Sequence, residues 1–503
     1  MDIYERISKN RAKIASIYDL AAVCYDQLCV QIHNQAEFLA KYIECSENAE
    51  KNNPNFSMLN QFSYRLSAMF LQKDKRYSMD EIVERTLWGI SGVKQKLVNY
   101  EKKTYNEAAI AYYLLQAVDL YAENGTAGSL DEPLNKKYQK KSYVYRSNAG
   151  SILTKAADQL NFRSKIKTTE IRHNFKCIRF LEKSELSSGM NPPKLVTLHI
   201  GENDHGRRAV VRDKKLKIAA IPFGKEKFWD FKKSRGNSFY VAYMEQQKKA
   251  AVIKALQLLE KAIRLKANII IFPEYVCFPE MQEKIGDYLE VMYYTNPKKL
   301  QNLFLVVAGS GWTKDDNNVA RIYSYSGKPL GEQYKQEPYD GEDEDGERWI
   351  EGLRNPGKES LIIEIPEIGS VMTAICRDVS NRNETEKMAD FFEIDFLLVT
   401  AWSKSLHGGF EKQLGNITEM NMLTSSLTCN CCSAVVDGKE RARGHVITPY
   451  KNGSIIEANV KIMKSKPANC EKCTGCIFCI PFSFETQDVD EGKIVGKITQ
   501  NRL

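Results

Sequence analysis

At 503 residues, with 43% hydrophobic and 27% charged residues, the chain is longer than one core usually supports and has an ordinary globular composition. Its net charge of +8, from 72 basic and 64 acidic residues, is too mild to argue for nucleic-acid binding; the lysine clusters at 214–217 and 225–235, without aromatic stacking motifs, read as solvated surface. No apolar run nears the ~20 residues that span a bilayer, and the opening residues lack a secretory leader pattern. The expectation is therefore a cytoplasmic protein off the membrane, whose 13 cysteines serve as thiols, metal ligands or a nucleophile and not as a disulfide framework.

Residues 1–186 read as an all-α domain. Stretches 19–43 and 57–71 carry apolar residues at three-four spacing. Ser78-Met79-Asp80-Glu81 is a capping-box pattern that opens a helix to about residue 102, and Thr104-Tyr105-Asn106-Glu107 repeats it before a helix stopped by Asn124-Gly125. Further helix is expected over 151–181. Cys24, Cys29 and Cys45 are too dispersed for a metal site, and nothing else here carries chemistry, so the expected role is partner binding or regulation. Residues 187–213 form the linker and lead-in, marked by Ser187-Ser188-Gly189 and Pro192-Pro193.

From 214 to 503 strands alternate with helices, which argues for an α/β layered domain. The expected order is a strand at 216–223, a long helix at 238–266, and a buried strand at 267–274, Ala267-Asn268-Ile269-Ile270-Ile271-Phe272-Pro273-Glu274, that ends in the carboxylate of Glu274. A helix at 280–294 and a strand at 303–310 follow, then a hairpin whose second arm carries Lys335. Strands at 361–365 and 369–376 come next, the latter delivering Cys376 to a polar loop. After a strand at 395–400, a helix over 410–428 precedes a strand at 433–436. A lone cysteine at a strand end is ordinarily a core thiol. With a carboxylate and a lysine at neighbouring strand ends it reads instead as a nucleophile with a base and an oxyanion donor.

Ile271-Phe272-Pro273-Glu274, Tyr334-Lys335 and Ala374-Ile375-Cys376-Arg377-Asp378, in this order, resemble the nitrilase, or carbon–nitrogen hydrolase, superfamily. Supporting matches are Leu397-Leu398-Val399-Thr400-Ala401-Trp402 and Gly444-His445-Val446-Ile447. The resemblance implies a nitrilase-like αββα sandwich that pairs into a homo-oligomer, and hydrolysis of an amide or nitrile by a Glu274–Lys335–Cys376 triad. It also implies a second glutamate between the lysine and the cysteine. Gly346-Glu347-Arg348-Trp349 selects Glu347, although the acidic insertion at 340–345 displaces it from the usual spacing. Arg377 replaces a common aromatic residue; it is expected either to depress the thiol pKa or to hold an anionic group. Arg377 and Trp402 are thus the expected substrate-binding residues. No cofactor is needed for such chemistry.

Cys470, Cys473, Cys476 and Cys479 stand at spacing three. A structural zinc completed by Cys429, Cys431 or Cys432, an iron–sulfur cluster, and no metal at all remain open. Three functions compete: a thiol hydrolase of a small-molecule amide or nitrile, a catalytically silent partner-binding scaffold of the kind found in defence systems, and a redox sensor built on the cysteine tail.

Overall fold

The computed structural model describes residues 2–32, 38, 55–72, 76–98, 103–124, 142–146, 175, 178–182 and 186 of the first part of the chain. It also describes most of residues 188–502, the longer gaps being 435–440, 466–474 and 484–497. The chain divides into two compact units, Met1–Leu186 and Ser187–Leu503.

The first unit holds helices α1 (Ile3–Asn10), α2 (Ile17–Gln31), α3 (Phe56–Phe70), α4 (Met79–Lys96) and α5 (Lys103–Asn124). Reciprocal capping boxes start two of them, Ser16 with Asp19 at α2 and Ser78 with Glu81 at α4, each satisfying backbone donors that the first turn leaves open. The α5 residues from Ala108 to Leu115 are all buried in the unit's core. A helix apolar on every side sits at the centre of its bundle. The unit is not all-α. Strands β1 (Ser142–Arg146) and β2 (Ile178–Glu182) pair antiparallel, Ser142 opposite Glu182. Helix was expected up to residue 181, but Ile178 and Phe180 suit a pleated surface, and Phe180 stacks on Tyr25 at 4.1 Å. Most of 151–177 lies outside the described residues.

The second unit is an α/β assembly whose first helix is α6 (His205–Asp213). One seven-stranded sheet has the order β10 (Pro329–Tyr334), β9 (Asn318–Ser324), β8 (Leu305–Trp312), β7 (Ile269–Ile271), β4 (Lys215–Ala220), β19 (Cys476–Ser483), β20 (Thr499–Arg502). The other runs β18 (Ile455–Ser465), β17 (Arg441–Asn452), β16 (Ser425–Asn430), β15 (Phe396–Ala401), β14 (Gly369–Ile375), β13 (Leu361–Ile365), β3 (Lys194–Thr197). Alternation sorts each strand's side chains by face. Ile218 and Ala220 of β4, with Ile269, Ile271, Leu305 and Val307, share a core with Ile363, Val371, Phe396, Leu398 and Leu427 of the second sheet. Ala219, Ile270 and Val306 face the other way, onto Ala255, Leu258 and Ala262 of α7 (Glu245–Arg264) and Ile285 and Leu289 of α8 (Pro279–Thr295). On the second sheet, α10 (Gly409–Asn421) packs on β17 and β18 and also against α9 (Glu384–Phe391).

A third, smaller sheet has the order β11 (Asp340–Glu342), β12 (Arg348–Glu351), β6 (Ser238–Tyr243), β5 (Trp229–Lys233). It overturns one expected element: residues 238–243 belong to a strand, because Phe239 and Val241 alternate inward. The long helix therefore begins only at Glu245. Likewise the expected helix over 410–428 ends at Asn421, and the strand that follows is Ser425–Asn430, whose six residues are all buried. Its serines and threonines hide a strand that is short of aliphatic side chains. Among the described residues no helix is long and apolar enough to cross a membrane.

Candidate active site

Three strand ends converge. β7 is wholly buried and ends at Ile271; Phe272 N–H still bonds the Val307 carbonyl, Pro273 has no N–H to carry the ladder on, and Glu274 follows, fully buried. Its loop packs against a bulge in β8 at Gly309, where φ is +68° and an added Cβ would lie 2.5 Å from the Pro273 carbonyl oxygen. Only glycine allows this approach. Lys335 follows β10; its N–H donates to the Asn318 carbonyl at 2.9 Å, and its side chain is buried. β14, buried along its whole length, ends at Ile375, so Cys376 opens a tight turn with φ of +47°. That conformation costs a non-glycine residue roughly 1–3 kcal/mol and is concentrated at functional sites.

The Lys335 ammonium donates to Glu274 Oε1 at 2.7 Å and lies 2.6 Å from Glu351 Oε2. The second carboxylate is therefore Glu351, not Glu347. Glu347 is exposed and pairs with Lys233, because it precedes β12 while Glu351 ends that strand, facing inward. Asn318, which the sequence reading passed over, completes the set: its Nδ2 donates to Glu274 Oε1 at 3.0 Å and to Glu351 Oε1 at 3.2 Å. Spacing alone could not choose between the two glutamates, because on an extended chain Glu347 and Glu351 both share the face of Trp349. Glu274 Oε2 accepts from the Trp402 N–H at 2.8 Å, and the Trp402 carbonyl lies 3.8 Å from Cys376 Sγ. The Glu274 carboxyl also interacts with the thiol itself.

Burial, reinforced by the Glu351 charge, raises the Glu274 pKa against the pull of Lys335. Burial alone would lower the Lys335 pKa, but the two carboxylates outweigh it and hold the ammonium protonated. Burial and then the Glu274 charge push the Cys376 thiol well above its ordinary value, so it rests as a neutral thiol beside a carboxylate able to take its proton. The expectation that Arg377 would depress this thiol is not met. Its guanidinium donates to the Asp340 carbonyl, across to β11. Asp340 in turn pairs with Arg348 at 2.6 Å, and residues 343–345 of the acidic insertion lie outside the described residues. Asp378 fastens the turn: Oδ1 accepts from Gln336 and Glu337 N–H, each at 2.9 Å, and Oδ2 from Ile375 N–H at 3.1 Å. One carboxylate thus ties the chain after the lysine to the chain before the cysteine. Burial raises its pKa to about 7.

The two described tail cysteines, Cys476 and Cys479, do not converge with this site. Cys476 faces the core between the sheets and Cys479 the helix side, as spacing three on a strand requires. Cys470 and Cys473 lie outside the described residues. Cys431 and Cys432 instead approach the carbonyls of Phe223 at 3.2 Å and Pro222 at 2.6 Å, and Cys429 is core. Among the described residues no group of three or more His, Cys, Asp or Glu is disposed to hold a metal.

No protein-family model and no curated protein matches the sequence. Solved structures it is similar to include an amidase of the nitrilase superfamily and a further member of that superfamily. A double mutant of the amidase from Nesterenkonia sp. AN1, in complex with acrylamide, is 11% identical over 52% of this chain and 95% of its own, with a TM-score of 0.33. Saccharomyces cerevisiae Nit3, a member of branch 10 of the nitrilase superfamily, is 14% identical over 51% of this chain and 92% of its own, with a TM-score of 0.32.

Proposed function

We propose that this chain is a thiol-dependent hydrolase of non-peptide carbon–nitrogen bonds, amide or nitrile, built on a nitrilase-like αββα sandwich. The observation that carries the reading is the Lys335 ammonium held at 2.7 and 2.6 Å from two buried carboxylates beside a buried thiol. Burying three charges costs more stability than packing apolar groups in their place, so the cluster is a poor structural device and a good catalytic one.

With an amide, Cys376 Sγ attacks the carbonyl carbon while its proton passes to Glu274. The oxyanion is stabilised by Lys335 and by the N–H of Arg377. Glu274 returns the proton to the nitrogen, the carbon–nitrogen bond breaks, and the amine leaves a thioester. Water then gives a proton to Glu274 as it attacks the thioester. The thiolate leaves, recovers the proton, and the carboxylic acid departs. A nitrile would pass through a thioimidate by the same first step. Glu351 and Asn318 fix the lysine and the base.

A metabolite screen of wild type against Cys376→Ala is expected to show carboxylic acid and amine formed only by the wild type. An amide- or nitrile-type electrophile should modify Cys376. If it modifies only the thiols of 470–479, the hydrolase reading fails and the scaffold reading stands.

A further inference from the structure

The small sheet brings rings to the thiol. Trp229 and Phe231, two residues apart on β5, share a face, and Phe231 meets Trp402 at 4.9 Å and Tyr275 at 5.4 Å, edge to face in both cases. Trp229 meets Trp402 at 6.2 Å and Phe231 at 5.0 Å. Two of these residues touch the catalytic groups directly. The Tyr275 hydroxyl lies 3.4 Å from Lys335 Nζ, and the Trp402 backbone contacts both Glu274 and the sulfur. The ring cluster therefore borders the lysine and the thiol on the Tyr275 and Trp402 side.

Two polar atoms in this wall are unmatched. The indole nitrogens of Trp229 and Trp402 are buried, and neither has a hydrogen-bond partner among the described residues. Trp229 itself is only 5% exposed. A buried indole N–H ordinarily finds an acceptor, since leaving one unmade is costly. The charged groups that reach Tyr275 are Lys335 and Glu351, which already pair with each other. The wall thus suits a flat, uncharged group with an acceptor at its edge.

We infer that the acyl group accepted at Cys376 is a planar aromatic or heteroaromatic ring bearing a hydrogen-bond acceptor, and that Phe231 and Trp229 set this preference. The inference rests on the hydrolase reading above. Ammonia release by the full chain is measured with acetamide, benzamide and nicotinamide. The expected order of kcat/KM is nicotinamide, then benzamide, then acetamide, with at least about tenfold between the ring amides and acetamide, because an apolar pocket discriminates at this level even for smaller differences in size. Phe231→Leu, which keeps an apolar side chain and so the packing, should narrow the benzamide-to-acetamide ratio at least about fivefold. Trp229→Phe, which keeps a ring but removes the N–H, should narrow the nicotinamide-to-benzamide ratio. Acetamide turned over as fast as benzamide, or ratios unchanged in folded variants, would overturn the ring preference and leave the hydrolase standing. Turnover of none of the three, with Cys376 also inert to electrophiles, would overturn the hydrolase and this inference with it.

Discussion

The large sheets and the small one make unequal contributions to a single site. Glu274, Lys335 and Cys376 come from the ends of β7, β10 and β14, strands of the two seven-stranded sheets, whereas Glu351 comes from β12 of the four-stranded sheet. β7 and β14 are buried throughout and anchored by neighbours on both sides, so their ends are fixed by the core. β12 has four residues, two of them paired with β6, and its place depends on local contacts: Tyr339 N–H to Glu351 Oε2 at 2.9 Å and Asn318 to Oε1. On the proposed reading, a rigid frame carries the reacting atoms, and a light sheet supplies their partner charge and part of the ring cluster beside them.

Three substitutions, one paired with a control, separate these contributions in falling order of expected effect. Cys376→Ala removes the nucleophile and should lower kcat by at least ~10⁴-fold while leaving the urea midpoint close to wild type; residual turnover within tenfold of wild type would show that the frame does not carry the chemistry. Glu351→Gln, which keeps shape but removes the charge facing Lys335, should cost ~100-fold, whereas Glu347→Gln should change kcat less than about twofold. Equal effects of the two would mean that the small sheet does not complete the site. Asn318→Ala should cost ~10-fold in kcat with little change in KM, because it lets both carboxylates shift without touching substrate.

The smallest effect concerns pH. The folded pKa of Asp378, about 7, lies above its unfolded value near 3.8, so the folded state holds the extra proton between those values. The stability this contributes is full below pH ~4 and lost as pH rises through 7, with a slope of at most about 1.4 kcal/mol per pH unit. Urea unfolding of wild type and Asp378→Asn from pH 5 to 8 should therefore give a steeper decline for wild type. Parallel profiles would show that this tie between the two strand ends is not titrating.

What the sequence disclosed follows the same division. A strand buried on both faces reads as an apolar run with an abrupt polar end, which is how Glu274 and Cys376 stood out. β5 is legible only in hindsight: in Trp229-Asp230-Phe231-Lys232-Lys233 the polar residues point outward and resemble a solvated lysine run, while the two rings alternate inward. Glu351 was missed in favour of Glu347 because a four-residue strand leaves no periodic signal to set its register. Asn318 looks like a turn former beside Asn317, yet its amide sits between two buried carboxylates that only the tertiary fold brings together.

The pairing of β12 with β6 sets Glu351 opposite Phe239, and Phe239 packs against Phe231 at 5.1 Å. On the proposed reading, the residue that meets the substrate ring and the residue that holds the lysine charge are mounted on the two strands that flank β6. Selectivity and turnover in this scaffold are then linked traits: laboratory evolution toward a bulkier or smaller acyl group will move the glutamate as it reshapes the wall. Compensating changes should accumulate on β6, between the two.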